Sequence, residues 1–345
     1  MAHQRTTLET VLTRAWLRRG WLACVLWPAS LLFGALAALR RTLYAAGVLR
    51  SVRLPVPVIV VGNVFIGGTG KTPLTIWLAG ELKRAGYVPG IISRGYGTQQ
   101  DAPRAVSANS LPQEVGDEPV LMASRTQCPV MVGRNRVDAA RALLAANPAV
   151  NVIISDDGLQ HYAMQRDVEI ILFDARGAGN GWVLPAGPLR EPASRRRDFT
   201  VVNAARIPAG MPGDTVRMQL DGDSAEQLAQ RSQRMRLASL TQHKPVPRIV
   251  AAAGIGHPAR FFSMLQAAGL TFDAVPLPDH YDFAVNPFAA MRADIILITE
   301  KDAVKCLQIE ALKNDPRLWV VPVTAQLDRA LAEKIVEKLR GYPTA

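Results

Sequence analysis

The chain has 345 residues, 49% of them hydrophobic and 20% charged, enough for one large α/β domain or two of ordinary size. Its net charge of +11, from 40 basic and 29 acidic residues, calls for an anionic partner, either nucleic acid or a negatively charged membrane surface. The three cysteines, Cys24, Cys128 and Cys306, are far apart with no CxxC spacing, so they signal neither a disulfide framework nor a zinc site and fit a reducing compartment.

The first element is the apolar run WLACVLWPASLLFGALAAL, Trp21 to Leu39, 19 residues without a charge. As a helix it would cover roughly 28 Å, close to a bilayer core. Arg18 and Arg19 before it are also compatible with a secretory signal peptide, but export would carry the phosphate-loop-like stretch GGTGKT, further along the chain, to a compartment without nucleotide. Arg5, Arg14, Arg18 and Arg19 precede the run, and Arg40, Arg41, Arg50 and Arg53 follow it, so the positive-inside rule gives a single span no direction. Balanced flanks, with Pro28 and Gly34 inside, favour a helix that dips into or lies along one leaflet, its arginines reaching anionic headgroups. Against this, only Ser30 offers a polar face. A true span and a buried helix of a soluble fold stay open.

An apolar, strand-like run from Val56 to Val61 leads into a glycine-rich turn and then a helical pattern, Leu74, Leu78, Leu82. Gly67, Gly68, Thr69, Gly70, Lys71 and Thr72, the stretch GGTGKT, supply what a nucleotide phosphate requires. Glycines allow close backbone approach, N–H groups converge at a helix start, and a lysine reaches the terminal phosphates. Thr72 is placed to bind Mg²⁺ through its hydroxyl. The fit to G-x-x-x-x-G-K-[ST] is imperfect, because Phe65 occupies the first glycine position.

Further strand-like runs follow at Gly90 to Ser93, Val130 to Val132, Val152 to Ser155, Val168 to Asp174 and Phe199 to Asn203. They alternate with helical or loop segments, which predicts an α/β fold with a mostly parallel P-loop-type sheet and helices on both faces. The run ending in Asp156 and Asp157 has the form of a Walker-B strand facing the metal. Taken alone, the pair could instead cap a turn before Gly158. Residues 206 to about 245 are polar, with IPAGMPGD as a junction, and a second, smaller α/β pattern follows from RIVAAAGIG to RLWVVPVT. The expected division is 1–50 for an N-terminal membrane-associated helical segment and 51–205 for the nucleotide-binding domain. A second domain, 206–325, closes over the site, and a C-terminal helix in 326–345 returns to the first domain. TEKD, Thr299 to Asp302, reads as a helix capping box.

Eight motifs occur in one order: VGNVFIGGTGKTP, SRGYG, VGDEP, VGRNR, DDGLQH, LPAGPLREP, PDHYDF and TEKDAVK. In this the chain resembles the tetraacyldisaccharide 4'-kinase family over roughly residues 15 to 340, the apolar N-terminal segment included. The resemblance implies a lipid kinase, a phosphotransferase to an alcohol acceptor. It would use ATP and Mg²⁺ to phosphorylate the 4'-hydroxyl of a tetraacylated glucosamine disaccharide 1-phosphate at the cytoplasmic face of the inner membrane.

An alkyl hydroxyl is a poor nucleophile and needs an acceptor for its departing proton. Asp117 in VGDEP is the candidate base, although its turn context would also suit a helix N-cap. The resemblance pairs it with a histidine, matched to His280 in PDHYDF, which demands that the second domain fold over the first. It also implies Glu118 and Asp156 as Mg²⁺-site carboxylates, with Asp157 and Gln160 in support. His161 reads as either a functional group or a hydrogen-bonded wall residue. Arg94 and Tyr96 follow a strand, where open α/β sheets collect ligands, and the resemblance gives that turn to the lipid substrate. Arg134, Arg136 and Arg190 become phosphate or headgroup contacts, whereas Arg134 and Arg136 on their own would be ordinary surface arginines. The run Arg195 to Arg197 is expected on a solvated face that could touch lipid phosphate.

The implied partners are the lipid disaccharide and an anionic membrane surface, with no obligate protein partner. Nucleic acid is disfavoured, because no aromatic-interleaved basic stripe exists. A membrane-anchored P-loop ATPase acting on a protein partner is the alternative. A guanine-reading N-K-x-D is absent, which counts against a GTPase version of it.

Overall fold

The computed structural model describes residues 13, 15–95, 102–242 and 245–341, so Tyr96 lies outside the described residues. Two sheets organise the chain. The first has nine strands in the order β15-β8-β7-β6-β1-β5-β2-β4-β3. Its members are β1 (Val58–Gly62), β2 (Pro89–Ser93), β3 (Arg104–Val106), β4 (Val130–Val132), β5 (Val152–Asp156), β6 (Val168–Asp174), β7 (Phe199–Asn203), β8 (Val216–Asp221) and β15 (Thr324–Gln326). The strands from β4 to β8 across the sheet run parallel, and only the edges, β3 and β15, are antiparallel. Every residue of β1, β2 and β5 is buried, as expected for central strands covered on both faces.

Both faces are covered. On one, Leu74, Leu78 and Leu82 of a helix we label α2 (Lys71–Arg84), after the N-terminal α1 (Trp21–Ala45), pack with residues of four further helices. The i, i+4 spacing of those leucines places them on one stripe. Between α2 and the next long helix lies the single turn α3 (Pro112–Val115), followed by α4 (Asp117–Thr126), which contributes Val120 and Met122 to the same cluster. The opposite face is covered by α5 (Arg136–Ala146) through Val137, Ala140 and Leu143, together with Leu159, Met164 and Leu189 from loops.

The second sheet has six strands in the order β10-β9-β14-β13-β11-β12. It is built from β9 (Ser224–Gln227), β10 (Arg234–Arg236), β11 (Ile249–Ala253), β12 (Asp273–Pro276), β13 (Ile295–Thr299) and β14 (Leu318–Val321). Around it stand α6 (Pro258–Ala267), α7 (Glu300–Cys306) and α8 (Glu310–Lys313), while α9 (Ala330–Arg340) sends Leu331, Ile335 and Leu339 into the first sheet's core.

β8 falls within 206–325 and β15 straddles its end, and both extend the first sheet, joined to each other through Ala325↔Leu220. The chain therefore crosses between sheets twice, and the second lobe proper begins after β8. The next-to-edge strand β8, VRMQLD, alternates more and less exposed positions and lacks the continuous apolar run that marks a central strand.

α1 is one unbroken helix of 25 residues, Pro28 included. It is long and apolar enough to cross a membrane, and only 11% of its apolar window is buried, which removes the buried-helix reading. Trp21, Val25, Leu32, Leu36 and Leu39 are each more than half exposed. One narrow stripe is docked. Ser30, 3% exposed, donates from Oγ to the Val183 carbonyl at 2.9 Å and accepts from the Ala186 N–H at 2.8 Å. Gly34 lies against Val183, and Trp27 stands 6.3 Å from Trp182. Ser30 is thus not the start of a solvent-facing polar face; it is the seam by which α1 holds the 183–186 loop. Ser30→Ala is expected to cost about 1–3 kcal/mol, since the buried Ala186 N–H loses its acceptor. Thermal unfolding in detergent checks this, and an unchanged midpoint would place the seam's strength elsewhere.

Candidate active site

The phosphate loop follows β1 and wraps onto the start of α2. Gly67 and Gly70 have φ of 94° and 99°, a left-handed conformation that side chains with a Cβ avoid. At Gly70 a Cβ would also sit 2.5 Å from Asn203 Nδ2, which donates to the Thr69 carbonyl at 2.9 Å. Asn203, at the end of β7, therefore braces the loop, a role no local sequence signal announces. Asn63 does the same from the other side, donating to the carbonyls of Phe65 at 2.6 Å and Gly67 at 3.0 Å. Lys71 Nζ donates to Asn63 Oδ1 at 3.0 Å and lies 3.5 Å from Asp157.

Asp156 ends β5, paired in register with Val61 of β1, and is 2% exposed. Ser93 Oγ donates to its Oδ2 at 3.2 Å, while Oδ1 is buried without a hydrogen-bond partner. Burial and then the nearby Glu118 charge push its pKa up to about 7. A buried carboxylate with an orphaned oxygen, close enough to feel the charge of the partly exposed Glu118, suits a divalent cation. Among the described residues no cluster of three or more His, Cys, Asp or Glu side chains could hold a metal alone. Mg²⁺ does not need one, because it binds through one or two carboxylates plus substrate phosphates and water. Asp156, Glu118 and the Thr72 hydroxyl are the groups that fit it.

Asp157 adopts φ 50° in the turn after β5. Burial would raise its pKa, but Lys71, Arg190 and Arg136 outweigh that and hold it below the usual range. Arg190 Nη1 reaches both Asp157 oxygens at 3.4 Å. Gln160 is placed differently from the expected support of the metal site: its Nε2 donates to Glu191 Oε1 at 3.0 Å, so its amide is committed to the 191 loop. His161 accepts from the Arg136 N–H at 3.3 Å, and burial followed by three neighbouring arginines lowers its pKa to about 4. That is the wall-residue arrangement.

Arg136 and Arg134 diverge. Arg136, at the first position of α5, is 4% exposed and donates to the Gly133 carbonyl at 2.8 Å; Arg134 is exposed. Arg94, exposed at the end of β2, is a repulsive neighbour of Arg136, while Asp156 and Asp157 attract it.

Residues 163 positions apart complete the site. His280 Nδ1 is 3.1 Å from Asp117 Oδ2. Asp117 opens α4 behind Gly116, which has φ 90° and no capping side chain, and Asp117 Oδ1 accepts from the Glu118 N–H at 2.9 Å. His280 is held at φ 57°. Burial would raise the Asp117 pKa, but the His280 hydrogen bond and the charges of Lys301, His280 and Lys305 outweigh it and keep the carboxylate ionised. The same hydrogen bond raises the His280 pKa.

Lys301 and Lys305 were missed by the sequence reading. TEKD does cap α7, with Thr299 Oγ1 accepting from the Asp302 N–H at 3.2 Å. That accounts for its threonine and aspartate but not for Lys301. Lys301 Nζ lies 3.2 Å from Glu118, 3.7 Å from Asp279, 4.0 Å from Asp117 and 3.4 Å from His280 Nε2. Other links between the lobes are Arg260 to the fully buried Asp174 at 2.7 Å and the Arg125–Glu300 ion pair. The 254–257 turn comes up to the phosphate loop, so that a Cβ on Gly256 would be 3.7 Å from the Gly68 nitrogen.

The neutral state of His161 has a measurable consequence. Between pH 6.5 and about 4 the unfolded chain binds a proton there that the folded chain does not. This contribution to stability is complete above 6.5 and is lost as the pH falls through that window. His161→Gln, which keeps an acceptor for the Arg136 N–H, is expected to lose less stability than the parent from pH 6.5 to 4.5. Parallel melting curves decide it.

Comparison with known proteins identifies the family. A family model described as tetraacyldisaccharide-1-P 4'-kinase matches residues 22–340. The chain is 66% identical to the tetraacyldisaccharide 4'-kinase of Janthinobacterium sp. (strain Marseille), over all of both chains. It is 62% identical to that of Herminiimonas arsenicoxydans, over 100% of this chain and 99% of the relative. A solved structure of LpxK from Aquifex aeolicus in complex with ATP superposes with a TM-score of 0.76 at 29% identity, covering 92% of this chain and 99% of that one. The chain belongs to the tetraacyldisaccharide-1-P 4'-kinase family.

Proposed function

We propose that this protein transfers the γ-phosphoryl group of ATP to the 4'-hydroxyl of a tetraacylated glucosamine disaccharide 1-phosphate at the cytoplasmic face of the inner membrane. The observation that supports it most is the meeting of Asp117 and His280 across the lobes at 3.1 Å, beside the Lys71 loop. A P-loop switch needs only a nucleotide and a water. A dyad supplied by both lobes suits an alcohol acceptor that must lose its proton in a closed cleft.

In this reading the acceptor oxygen forms its bond to the γ-phosphorus as the bond to the β,γ-bridging oxygen breaks, and ADP leaves. Asp117, kept anionic by its neighbours, takes the hydroxyl proton or steers it to His280. Lys71 and the N–H groups of Gly67 to Thr72 hold the β- and γ-phosphates. Thr72, Glu118 and Asp156 would hold Mg²⁺, whose charge offsets that of the phosphates when bound. Asp157 orients Lys71 and Arg190. Arg94, Arg134 and Arg190 are the arginines left to meet the substrate's charged groups, while Arg136, buried against the Gly133 carbonyl, orders the turn that carries Arg134. The exposed apolar face of α1 keeps the site at the lipid boundary.

Incubating the purified protein with Mg-ATP and the disaccharide 1-phosphate in neutral micelles tests this. A second phosphate on the lipid is expected, strictly dependent on the 4'-hydroxyl. ATP hydrolysis at an unchanged rate without the lipid would favour the switch reading instead.

A further inference from the structure

Outside the cleft lies a cavity of about 570 Å³, lined by Arg41 of α1 together with Arg166, Arg195, Arg196 and Arg197. We propose that this cavity is a binding site for the phosphate of an anionic membrane phospholipid, separate from the catalytic cleft. The proposal rests on the membrane-surface reading above.

Charge bookkeeping around the cavity is the first support. Three carboxylates share its wall, and each is already used. Asp167 pairs with Arg53 at 3.0 Å and accepts from the Val58 N–H. Asp198 pairs with Lys338 and accepts from the Glu169 N–H at 2.7 Å. Arg53 and Lys338 are not part of the lining, so they neutralise two carboxylates from outside. Glu169 is shared by Arg166 and Arg195.

The remaining arginines are left with surplus charge. Arg196 is exposed and has no carboxylate within ion-pair distance among the described residues. Arg197 donates to uncharged oxygens, those of Ala193, Arg195 and Thr200, and its acidic neighbour Asp214 lies outside the lining. Arg41 is 44% exposed and 3.9 Å from Glu191, whose oxygens already accept from Arg195, Tyr162 and Gln160. Guanidinium groups arranged this way are the usual means of gripping a phosphate.

Position is the second support. The apolar run of α1 ends at Leu39, itself 56% exposed, and Arg40 and Arg41 come next. If the apolar face of α1 enters a leaflet, Arg41 stands within one helical turn of the hydrocarbon edge, at headgroup depth. The cavity is rigid on its inner side, because Arg166 and Arg195 are stacked over the Tyr162 ring at 5.5 Å. Arg41 and Arg196 are the adjustable arms.

The test uses the full chain and flotation with phosphatidylcholine vesicles, with or without added phosphatidylglycerol. The parent protein is expected to prefer the anionic vesicles. R41Q/R196Q is expected to lose most of that preference, roughly ten- to thirty-fold, the scale of two basic residues at an anionic surface. Its melting temperature, and its kcat and KM in neutral micelles, should stay unchanged. The control R236Q/R329Q removes two exposed arginines elsewhere and should keep the preference. Equal losses in both variants would mean a diffuse charge effect and overturn the site. An intact preference in R41Q/R196Q would overturn it as well. So would a raised KM for the disaccharide in micelles, because the phosphate would then be the substrate's own. Failure of the parent protein to phosphorylate the disaccharide would sink the proposed function and leave the vesicle result standing.

Discussion

Asp117→Asn is expected to lower kcat by about 10²–10⁴-fold, the range for losing a positioned proton acceptor, with ATP affinity nearly unchanged. The asparagine keeps the size of the side chain and can still hydrogen-bond His280, so the fold should survive; what disappears is the anion. Asp117 is 6% exposed and held ionised by His280 and two lysines, so the parent carboxylate is ready to take a proton without first losing one. Steady-state kinetics with a separate nucleotide-binding titration check the two halves of the prediction. A variant turning over near the parent rate would remove Asp117 from the proton-accepting role and leave His280 or solvent as acceptor.

Lys71→Ala should be nearly as damaging but by a different route. Its ammonium, poised by Asn63 at 3.0 Å and Asp157 at 3.5 Å, is the cation on the loop itself. Removing a preorganised group aimed at charge that develops in the transition state costs about 10²–10³ in rate, and here the ATP affinity should fall as well. The two variants therefore differ in pattern: Asp117→Asn changes kcat alone, Lys71→Ala changes both kcat and nucleotide binding. If Lys71→Ala altered neither, the loop would be a structural turn and no phosphate cradle.

The central strands were the most legible part of the fold. β4, β6 and β7 begin and end where the expected runs do, because a strand covered on both faces is built mainly from apolar residues; the polar Glu169 and Asp174 of β6 are held by arginines. The edges were not legible. β15 is three residues long and pairs with a strand on the far side of the whole second lobe, so its place in the first sheet depends on a contact that no local pattern encodes.

The site shows the same split. GGTGKT declares itself because phosphate binding requires those residues contiguously. His280 could be placed beside Asp117 only by resemblance, since 163 positions separate them. Lys301 stayed hidden for the opposite reason: TEKD already had a sufficient local explanation as a cap, and a satisfied local reading leaves no residue unexplained except by its long-range contacts. Gln160 was given a supporting role by the resemblance, whereas its amide is bonded to Glu191. α1 could not be placed from composition, because docking rests on one hydroxyl, Ser30, and a partner loop about 150 residues later.

A crystal structure with a non-hydrolysable ATP analogue, Mg²⁺ and the disaccharide 1-phosphate would test the central claim, that two lobes bring one acceptor hydroxyl to one phosphoryl group. The account predicts the 4'-oxygen within about 2.6–3.2 Å of Asp117 or His280, in line with a γ-phosphorus held by Lys71. A 4'-oxygen bound away from both side chains, or a triphosphate seated away from Lys71 and Thr72, would contradict it.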